Sequence, residues 1–433
     1  MRFRFLWVLV IAFVVQGAVL AQDNFISEQR PDAPELAALG EHTIGVRTME
    51  LVNPDQIDIV NIDGATEPTY DRPLTVEVWY PATLADGEEA GGEYVVNTRN
   101  PENTATLTGL AVRDADADAM SAPYPLVIIS HGYPGNRFLL SHLAENLATK
   151  GYVVASIDHT DSTYADQNAF GSTLYNRAID QHFVIDELIA MSGADDSFLS
   201  GMIQPDNVGV IGYSMGGYGA LIAVGSGLTA ESAAFGFATP NELLLDYQLD
   251  AEHYQTLLAD SPIRAVVAFA PWGMNTGFFG AEGLGNITDT PIMFVAGSQD
   301  DVSGYEIGTR RLWEDTVNTD RYLLTFENAR HNAGAPMPPP TEVTDFNEYM
   351  HYADNVWNSA RMNNISQHFV TAFLGIHLKG EEYGPYLDVI PNAVDGVYST
   401  DDDGNFTDEH TYWLGFQDRT ALGLSLEFLG AGE

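Results

Sequence analysis

Residues 212–217 (Gly-Tyr-Ser-Met-Gly-Gly) constrain the fold of this chain more than any other stretch. The apolar run 208–211 precedes them and the helix-prone residues 218–223 follow, so the pattern is strand, sharp turn and helix. Glycine at 212 and 216 permits a strained turn that other side chains would block, and this turn lifts Ser214 above the sheet. With 40 glycines in the chain, a Gly-rich turn without chemistry is the alternative. The flanking strand and helix favour a nucleophilic serine at Ser214.

The sequence around this turn alternates between strand and helix patterns. Apolar runs predict strands at 126–130, 152–157, 208–211, 264–270, 291–296 and 321–326, and helical patterns lie near 137–150, 175–191, 305–317 and 364–378. Alternating character at 44–51 and 74–80 predicts an opening antiparallel pair. Continuous apolar strands between helices are typical of a mostly parallel sheet covered on both faces. We therefore expect one α/β domain over residues 22–433, with its core at about 40–380.

Three segments do not follow this alternation. Residues 83–122 are rich in Ala, Asp, Glu, Gly and Thr, which predicts a solvated excursion rather than a core element. Residues 228–262 form either a cap over the site or a surface helical excursion. The acidic extension 380–433 is expected to be irregular. Its residues 401–405 suggest a calcium loop, but His410 stands where the EF-hand pattern requires its final Glu, which argues against calcium.

The first 21 residues have the features of an export signal. Arg2 and Arg4 precede the apolar run 5–15, and small residues lead to a predicted cleavage before Gln22. A membrane anchor is the alternative, but the apolar run is short for a spanning helix and no stop-transfer pattern follows. The leader predicts a secreted or periplasmic protein without stable membrane insertion.

Composition excludes several classes of partner and chemistry. The formal net charge of −43 argues against nucleic acid and anionic membranes as partners. The chain has no cysteine, which excludes disulfides, thiolate metal sites and a cysteine nucleophile. The core alone must therefore stabilise the fold.

Two later residues complete a candidate catalytic triad with Ser214. A serine hydroxyl needs a nearby base, and that base needs an acid that fixes its tautomer. Asp300 follows the predicted strand 291–296 and His331 follows the strand 321–326, so both lie at carboxyl ends, where open α/β sheets place their sites. Asp301 is the rival acid, and Asp300 is favoured because it comes first after the strand. Helix capping by Asp300 and a surface position for His331 are the alternatives.

Acyl transfer also requires hydrogen-bond donors for the developing oxyanion. The backbone N–H of Met215, directly after the nucleophile, is one expected donor. The other is the N–H of Tyr133, in the loop 130–135 (Ser-His-Gly-Tyr-Pro-Gly) after an earlier strand. His131 in this loop is a conceivable base, but a residue that leads a Gly-rich turn more often stabilises the loop by hydrogen bonding. No metal or organic cofactor is implied.

These motifs resemble the dienelactone-hydrolase-like α/β-hydrolases related to platelet-activating-factor acetylhydrolases. The resemblance rests on SHGYPGNRF, LAENLATKGYVVASIDHTDS and GYSMGGYGAL, with the segments at 46–47 and 74–81. It covers about 40–380 and implies an α/β-hydrolase fold and a serine esterase. True dienelactone hydrolases use a cysteine nucleophile, so their substrate is not implied here.

The site itself resembles that of bacterial cutinases and polyester hydrolases. The residues that carry this likeness are Gly132-Tyr133, Tyr213-Ser214-Met215-Gly216-Gly217 and Ala270-Pro271-Trp272. It implies that Tyr133 and Met215 supply the oxyanion donors and that Tyr133 and Trp272 contact substrate, Trp272 as an apolar wall of the acyl subsite. Core packing is the alternative for Trp272. The paired cysteines common in that family are absent.

The sequence thus predicts a secreted serine carboxylic-ester hydrolase that uses Ser214, Asp300 and His331. Its substrate would be a small-molecule, lipid or polymer ester. The alternatives within esterases are a cutinase-like polyester hydrolase and a phospholipid acetylhydrolase-like lipase, and peptidase activity is a further one. The alternative of another class is a binding protein on a hydrolase fold.

Overall fold

A computed structural model describes residues 24–433 except 168, 236–238 and 335. The predicted signal peptide at 1–21 lies outside the described residues. The strands are β1 Asn24–Phe25, β2 Ile44–Ile57, β3 Thr69–Thr83, β4 Gly92–Asn97, β5 Thr104–Gly109, β6 Val112–Arg113, β7 Asp116–Ala117, β8 Tyr124–Ser130, β9 Val153–Asp158, β10 Ile203–Tyr213, β11 Ile263–Phe269, β12 Ile292–Gly297, β13 Arg321–Phe326 and β14 Leu424–Leu429.

One large sheet organises the described residues. Its order is β14-β13-β12-β11-β10-β8-β9-β3-β2-β6, with β7 beside β3. Strands β8 to β13 are mutually parallel. The pair β2 and β3 is antiparallel, with Leu51 opposite Leu74, which confirms the predicted opening pair.

Helices cover both faces of this sheet. The α-helices are α1 Ser141–Thr149, α2 Phe170–Ser192, α3 Met215–Ala223, α4 Glu252–Leu258, α5 Ala281–Leu284, α6 Arg310–Asp315, α7 Phe346–Tyr349 and α8 Ser359–Leu374. One hydrophobic cluster contains residues of α1 and α8. A second contains residues of α2 and α3. The predicted α/β class, a mostly parallel sheet with helices on both faces, is confirmed.

The expectation of a solvated excursion at 83–122 was wrong. Strands β4 and β5 pair antiparallel, and β1 joins β5 in parallel to form a small separate sheet. Tyr94, Val96 and Leu107 are buried in the core, whereas Val95 is 69% exposed. In a strand, alternate side chains point to opposite faces. The polar composition of this segment belongs to the outward face and conceals the apolar inward face.

The acidic extension also contributes to the fold, contrary to expectation. Strand β14 pairs antiparallel with β13 and adds an edge to the large sheet, with Leu426 opposite Leu324. The loop 401–405 closes on itself, because Asp401 Oδ1 accepts hydrogen bonds from the N–H groups of Asp403 (3.0 Å) and Asn405 (2.9 Å). Within the described ranges, no group of three or more His, Asp or Glu is placed to hold a metal ion.

The proposed cap segment 228–262 packs beside the helices. The Tyr247 hydroxyl donates to the carbonyl of Tyr175 in α2, and the Tyr175 hydroxyl contacts Asp246. None of the described residues of this segment lines the cavity over Ser214.

Among the helices that the structure describes, none has the length and apolar character required to cross a bilayer.

The buried histidines His131, His159 and His368 make stability depend on pH. Burial, with Lys150 as a further cause, lowers the pKa of His368 to about 3. Burial and Arg177 lower the pKa of His159 to about 3, although Asp180 acts in the opposite direction. Such groups stay neutral in the folded chain but bind protons below about pH 6.5 once unfolded. Stability therefore falls as pH decreases from about 6.5 towards 3.

We expect His368→Asn to reduce this acid sensitivity. The asparagine oxygen can replace Nδ1 as acceptor for the Leu36 N–H (3.1 Å), and it cannot titrate. One proton fewer taken up on unfolding lowers the slope of unfolding free energy against pH by about 1.4 kcal/mol per unit between pH 5 and 6. Urea unfolding at pH 7.5, 6 and 5 measures this slope, and the pH 7.5 value isolates any packing cost. Equal slopes in both proteins would contradict the assignment.

Candidate active site

The turn between β10 and α3 has the strain that its glycines predict. Ser214 adopts φ 53° and ψ −111°, a conformation that costs free energy in a non-glycine residue. A Cβ at Gly216 would lie 1.9 Å from the carbonyl oxygen of Ser130, and one at Gly212 would lie 2.4 Å from the backbone of Gly216. Neither position accepts a side chain without backbone movement. The local sequence thus holds Ser214 at the carboxyl end of β10.

Ser214, His331 and Asp300 are joined by hydrogen bonds. His331 Nε2 is 3.1 Å from Ser214 Oγ, and His331 Nδ1 is 3.0 Å from Asp300 Oδ2. Asp300 follows β12 and His331 follows β13, so neighbouring parallel strands bring them together. An ionised carboxylate only accepts hydrogen bonds. Nδ1 of a neutral His331 therefore donates, which leaves Nε2 free to accept the proton of Ser214.

The environment of Asp300 keeps its carboxylate ionised. Its side chain is fully buried, whereas the side chain of His331 is 14% exposed. Burial alone would raise the pKa of Asp300, but the hydrogen bond from His331 and those from the N–H groups of Val302 (2.8 Å) and Ser303 (3.0 Å) lower it overall. A buried anion hydrogen-bonded to the imidazole stabilises the imidazolium that forms when His331 takes a proton.

The rival acid Asp301 faces a different partner. Its carboxylate forms an ion pair with Arg330, with Oδ1 3.0 Å from Nε. Its side chain is 49% exposed and lies at the cavity mouth. Asp300 is thus the carboxylate that the structure places against His331.

The loop after β8 approaches Ser214 closely. A Cβ at Gly132 would lie 3.3 Å from the Cβ of Ser214. The next residue, the predicted donor Tyr133, is therefore close to Ser214. Met215 is the first residue of α3, and its N–H has no intrahelical acceptor. Tyr133 and Ser214 both line the same cavity. Tyr133 and Met215 thus both lie beside Ser214, and their role as oxyanion donors stays a prediction.

Trp272 lies beside Ser214 but packs into an aromatic cluster. Its N–H donates to the carbonyl of Ser214 at 3.1 Å. The half-buried ring contacts Phe170, Tyr218 and Phe278, with ring centroids 5.6, 5.9 and 4.9 Å away. In the described structure it is absent from the lining of the cavity over Ser214. Its predicted role as a substrate wall stays a prediction.

A segment that sequence reasoning missed forms one wall of the cavity over Ser214. The cavity has a volume of about 490 Å³, and Phe346, Met350 and His351 line it. Asn332 anchors this segment, because its Nδ2 donates to the carbonyls of Met350 (3.0 Å) and Ala353 (2.8 Å). The sequence signal that could have indicated this wall was the polar residue Asn332, directly after His331.

Asn332 also connects the wall to the nucleophile turn. Its Oδ1 accepts a hydrogen bond from the Tyr213 hydroxyl at 2.9 Å. The Tyr213 ring packs on the His331 imidazole, with centroids 5.3 Å apart. Asn332 thus couples the wall to residues on both sides of the Ser214–His331 contact.

A second Ser-His-Asp arrangement lies fully buried where β8 meets the loop that carries Tyr133. Ser130 Oγ is 2.8 Å from His159 Nε2, and His159 Nδ1 is 2.9 Å from Asp180 Oδ2. Asp180 also pairs with Arg72 at 2.8 Å. Ser130 has no exposed surface, so no substrate reaches it. The sequence signal for this arrangement was the polar run 158–161 at the end of β9, which the predicted site did not include.

The sheet order, the strained turn at Ser214 and the positions of Asp300 and His331 after later strands are those of an α/β-hydrolase fold. The chain is similar to the PET hydrolase-like family over residues 91–241. This range contains Tyr133, Ser214 and Met215, whereas Asp300 and His331 lie beyond it. No curated protein matches the chain.

A solved structure supports the fold independently. A ferulic acid esterase from Streptomyces cinnamoneus superposes with a TM-score of 0.52 over 81% of this chain and 94% of its own. The sequences are 21% identical, so this similarity concerns the fold alone.

Proposed function

We propose that the protein is a secreted serine carboxylic-ester hydrolase. The observation that carries this proposal is the continuous hydrogen-bonded chain from Ser214 through His331 to Asp300 at the floor of an open cavity. The leader-like residues 1–21 support export. The similarity to a PET hydrolase-like family and the fold of a ferulic acid esterase support esters as the substrate class.

The geometry supports the following reaction. His331 Nε2 takes the proton of Ser214 as Oγ attacks the ester carbonyl, and the N–H groups of Met215 and Tyr133 stabilise the oxyanion. The tetrahedral intermediate collapses, and the alcohol leaves with the proton from His331. Water, deprotonated by His331, then attacks the acyl-enzyme and releases the acid. Asp300 holds the tautomer and stabilises the imidazolium in both steps.

A polyester hydrolase is the second candidate within this class. The family similarity over 91–241 and the open cavity favour it. Release of soluble acid from amorphous polyester film, compared with hydrolysis of short-chain p-nitrophenyl esters, separates polymer activity from small-ester activity.

The test is ester hydrolysis by the wild type, Ser214→Ala and Ser130→Ala. Ser130 provides a matched control because it has the same His and Asp connectivity but is buried. We expect Ser214→Ala to lose nearly all turnover, of the order of 10⁶-fold, while folded Ser130→Ala keeps a measurable fraction. Equal rates for the wild type and Ser214→Ala would refute the mechanism.

A further inference from the structure

The imidazole of His131 lies against the peptide group that carries the predicted oxyanion donor Tyr133. It is fully buried, and its Nδ1 is 2.6 Å from the carbonyl oxygen of Gly132. That carbonyl and the N–H of Tyr133 belong to one planar peptide group. A contact that fixes the Gly132 oxygen therefore also fixes the direction of the Tyr133 N–H.

Neighbouring backbone determines the tautomer of His131. The N–H of His159 points at His131 Nε2 over 3.3 Å. A backbone N–H can only donate, so Nε2 accepts and carries no proton. Burial, together with Arg177 and His159, lowers the pKa of His131 well below its ordinary range, which keeps the ring neutral. The single ring proton is thus on Nδ1, where it donates to Gly132.

The ring and its backbone are held from other directions as well. Arg177 Nη1 donates to the carbonyl of His131 at 2.6 Å. A Cβ at Gly135 would lie 2.7 Å from His131 Nδ1, so the second glycine of the loop leaves space for the imidazole. These contacts give the ring one position, and that position is behind the Gly132–Tyr133 peptide.

We propose that His131 is a positioning residue for the oxyanion hole. Through its Nδ1–H it holds the Gly132–Tyr133 peptide so that the Tyr133 N–H points at the carbonyl oxygen of the substrate. This inference rests on the proposed ester hydrolysis, and it assigns His131 no part in proton transfer. A donor fixed before reaction avoids reorganisation when the oxyanion forms. Loss of the Nδ1–H bond therefore affects the transition state more than substrate binding.

Two substitutions of His131 separate the ring nitrogens. In His131→Asn the amide nitrogen can occupy the position of Nδ1 and donate to Gly132. In His131→Gln the amide reaches the position of Nε2 and leaves the Gly132 carbonyl without its partner. We expect kcat of the Asn variant within about fivefold of the wild type and that of the Gln variant lower by about 10- to 100-fold, with KM little changed.

A tetrahedral inhibitor gives the readout that a purely structural role would not change. Affinity for an alkyl boronic acid should fall in the Gln variant by the same factor as kcat/KM, while affinity for a non-reacting ester analogue stays constant. Equal kcat for the Asn and Gln variants, or a loss confined to KM, would overturn the proposal. If the wild type itself is no faster than Ser214→Ala, the proposed function fails instead.

The wild-type protein provides a second measurement that depends on no variant. Long-range ¹H–¹⁵N correlation spectra of histidine-labelled protein distinguish a protonated from an unprotonated ring nitrogen. We expect the buried histidine whose signals disappear in His131→Asn to carry its proton on Nδ1 only, unchanged from pH 6 to 8. A proton on Nε2 of that residue would overturn the proposal.

Discussion

Replacing Asp300 with asparagine is expected to lower kcat by about 10⁴-fold. Asp300 Oδ1 accepts the N–H groups of Val302 and Ser303, so the oxygen of the new amide keeps that position. The NH₂ group then faces His331 Nδ1, which must accept. The imidazole proton moves to Nε2, and His331 can no longer take the proton of Ser214.

Asp301→Asn provides the matched control. It makes the same chemical change one residue away, at a carboxylate that pairs with Arg330 on the exposed side of the cavity. Because exposed ion pairs contribute about 0–1 kcal/mol, we expect kcat within about threefold of the wild type. Steady-state kinetics on one p-nitrophenyl ester measures both variants. A larger loss of kcat in Asp301→Asn than in Asp300→Asn would show that Asp300 is not the triad acid.

Gly216→Ala is expected to have the largest structural effect of a single methyl group. Its Cβ would lie 1.9 Å from the carbonyl oxygen of Ser130 and 3.0 Å from that of His131. Both contacts are backbone, so α3 and β8 must separate. We expect a loss of about 3 kcal/mol in unfolding free energy. Because this movement displaces Ser214 from the oxyanion loop, kcat/KM should also fall by at least about 10²-fold.

Gly384→Ala is the control that separates the effect of close packing at Gly216 from the general effect of replacing a glycine by alanine. No heavy atom lies within 4 Å of a Cβ built at Gly384, and the residue is exposed. Its unfolding free energy should change by no more than about 0.5 kcal/mol. Urea unfolding and ester hydrolysis are measured on both variants. Comparable losses in the two proteins would show that the close packing at Gly216 has no energetic consequence.

The centre of the fold could be predicted because its signals are local. Each strand from β8 to β13 contains a short apolar run, and the carboxyl ends of parallel strands lie at one edge of the sheet. Ser214, Asp300 and His331 follow three of these strands, so their proximity follows from topology. The glycines of the turn point to the same geometry, since a side chain at either position meets backbone.

The periphery could not be predicted because its signals depend on partners distant in sequence. Tyr94 is buried because its hydroxyl reaches Glu145 in α1 at 2.7 Å. Strand β14 forms because β13 offers an unpaired edge. A short stretch of sequence does not reveal either partner. The prediction for 83–122 and for the acidic extension therefore rested on their average polarity.

The wall of the cavity illustrates the same point within the site. The length of the connection 228–262 suggested a cap at that position. The residues that line one wall of the cavity over Ser214 come instead from 346–355. Asn332 determines this placement through two carbonyls about twenty residues further along the chain. Side-chain to backbone hydrogen bonds of this kind have no periodic signature.

The most direct test of Ser214 as the nucleophile is the location of a covalent serine adduct. The mature protein is treated with a fluorophosphonate, digested and analysed by mass spectrometry, with Ser214→Ala and Asp300→Asn in parallel. We expect one adduct, on Ser214, that is absent from Ser214→Ala and forms far more slowly in Asp300→Asn. An unlabelled wild type, or an adduct on Ser130 or another serine, would contradict this expectation.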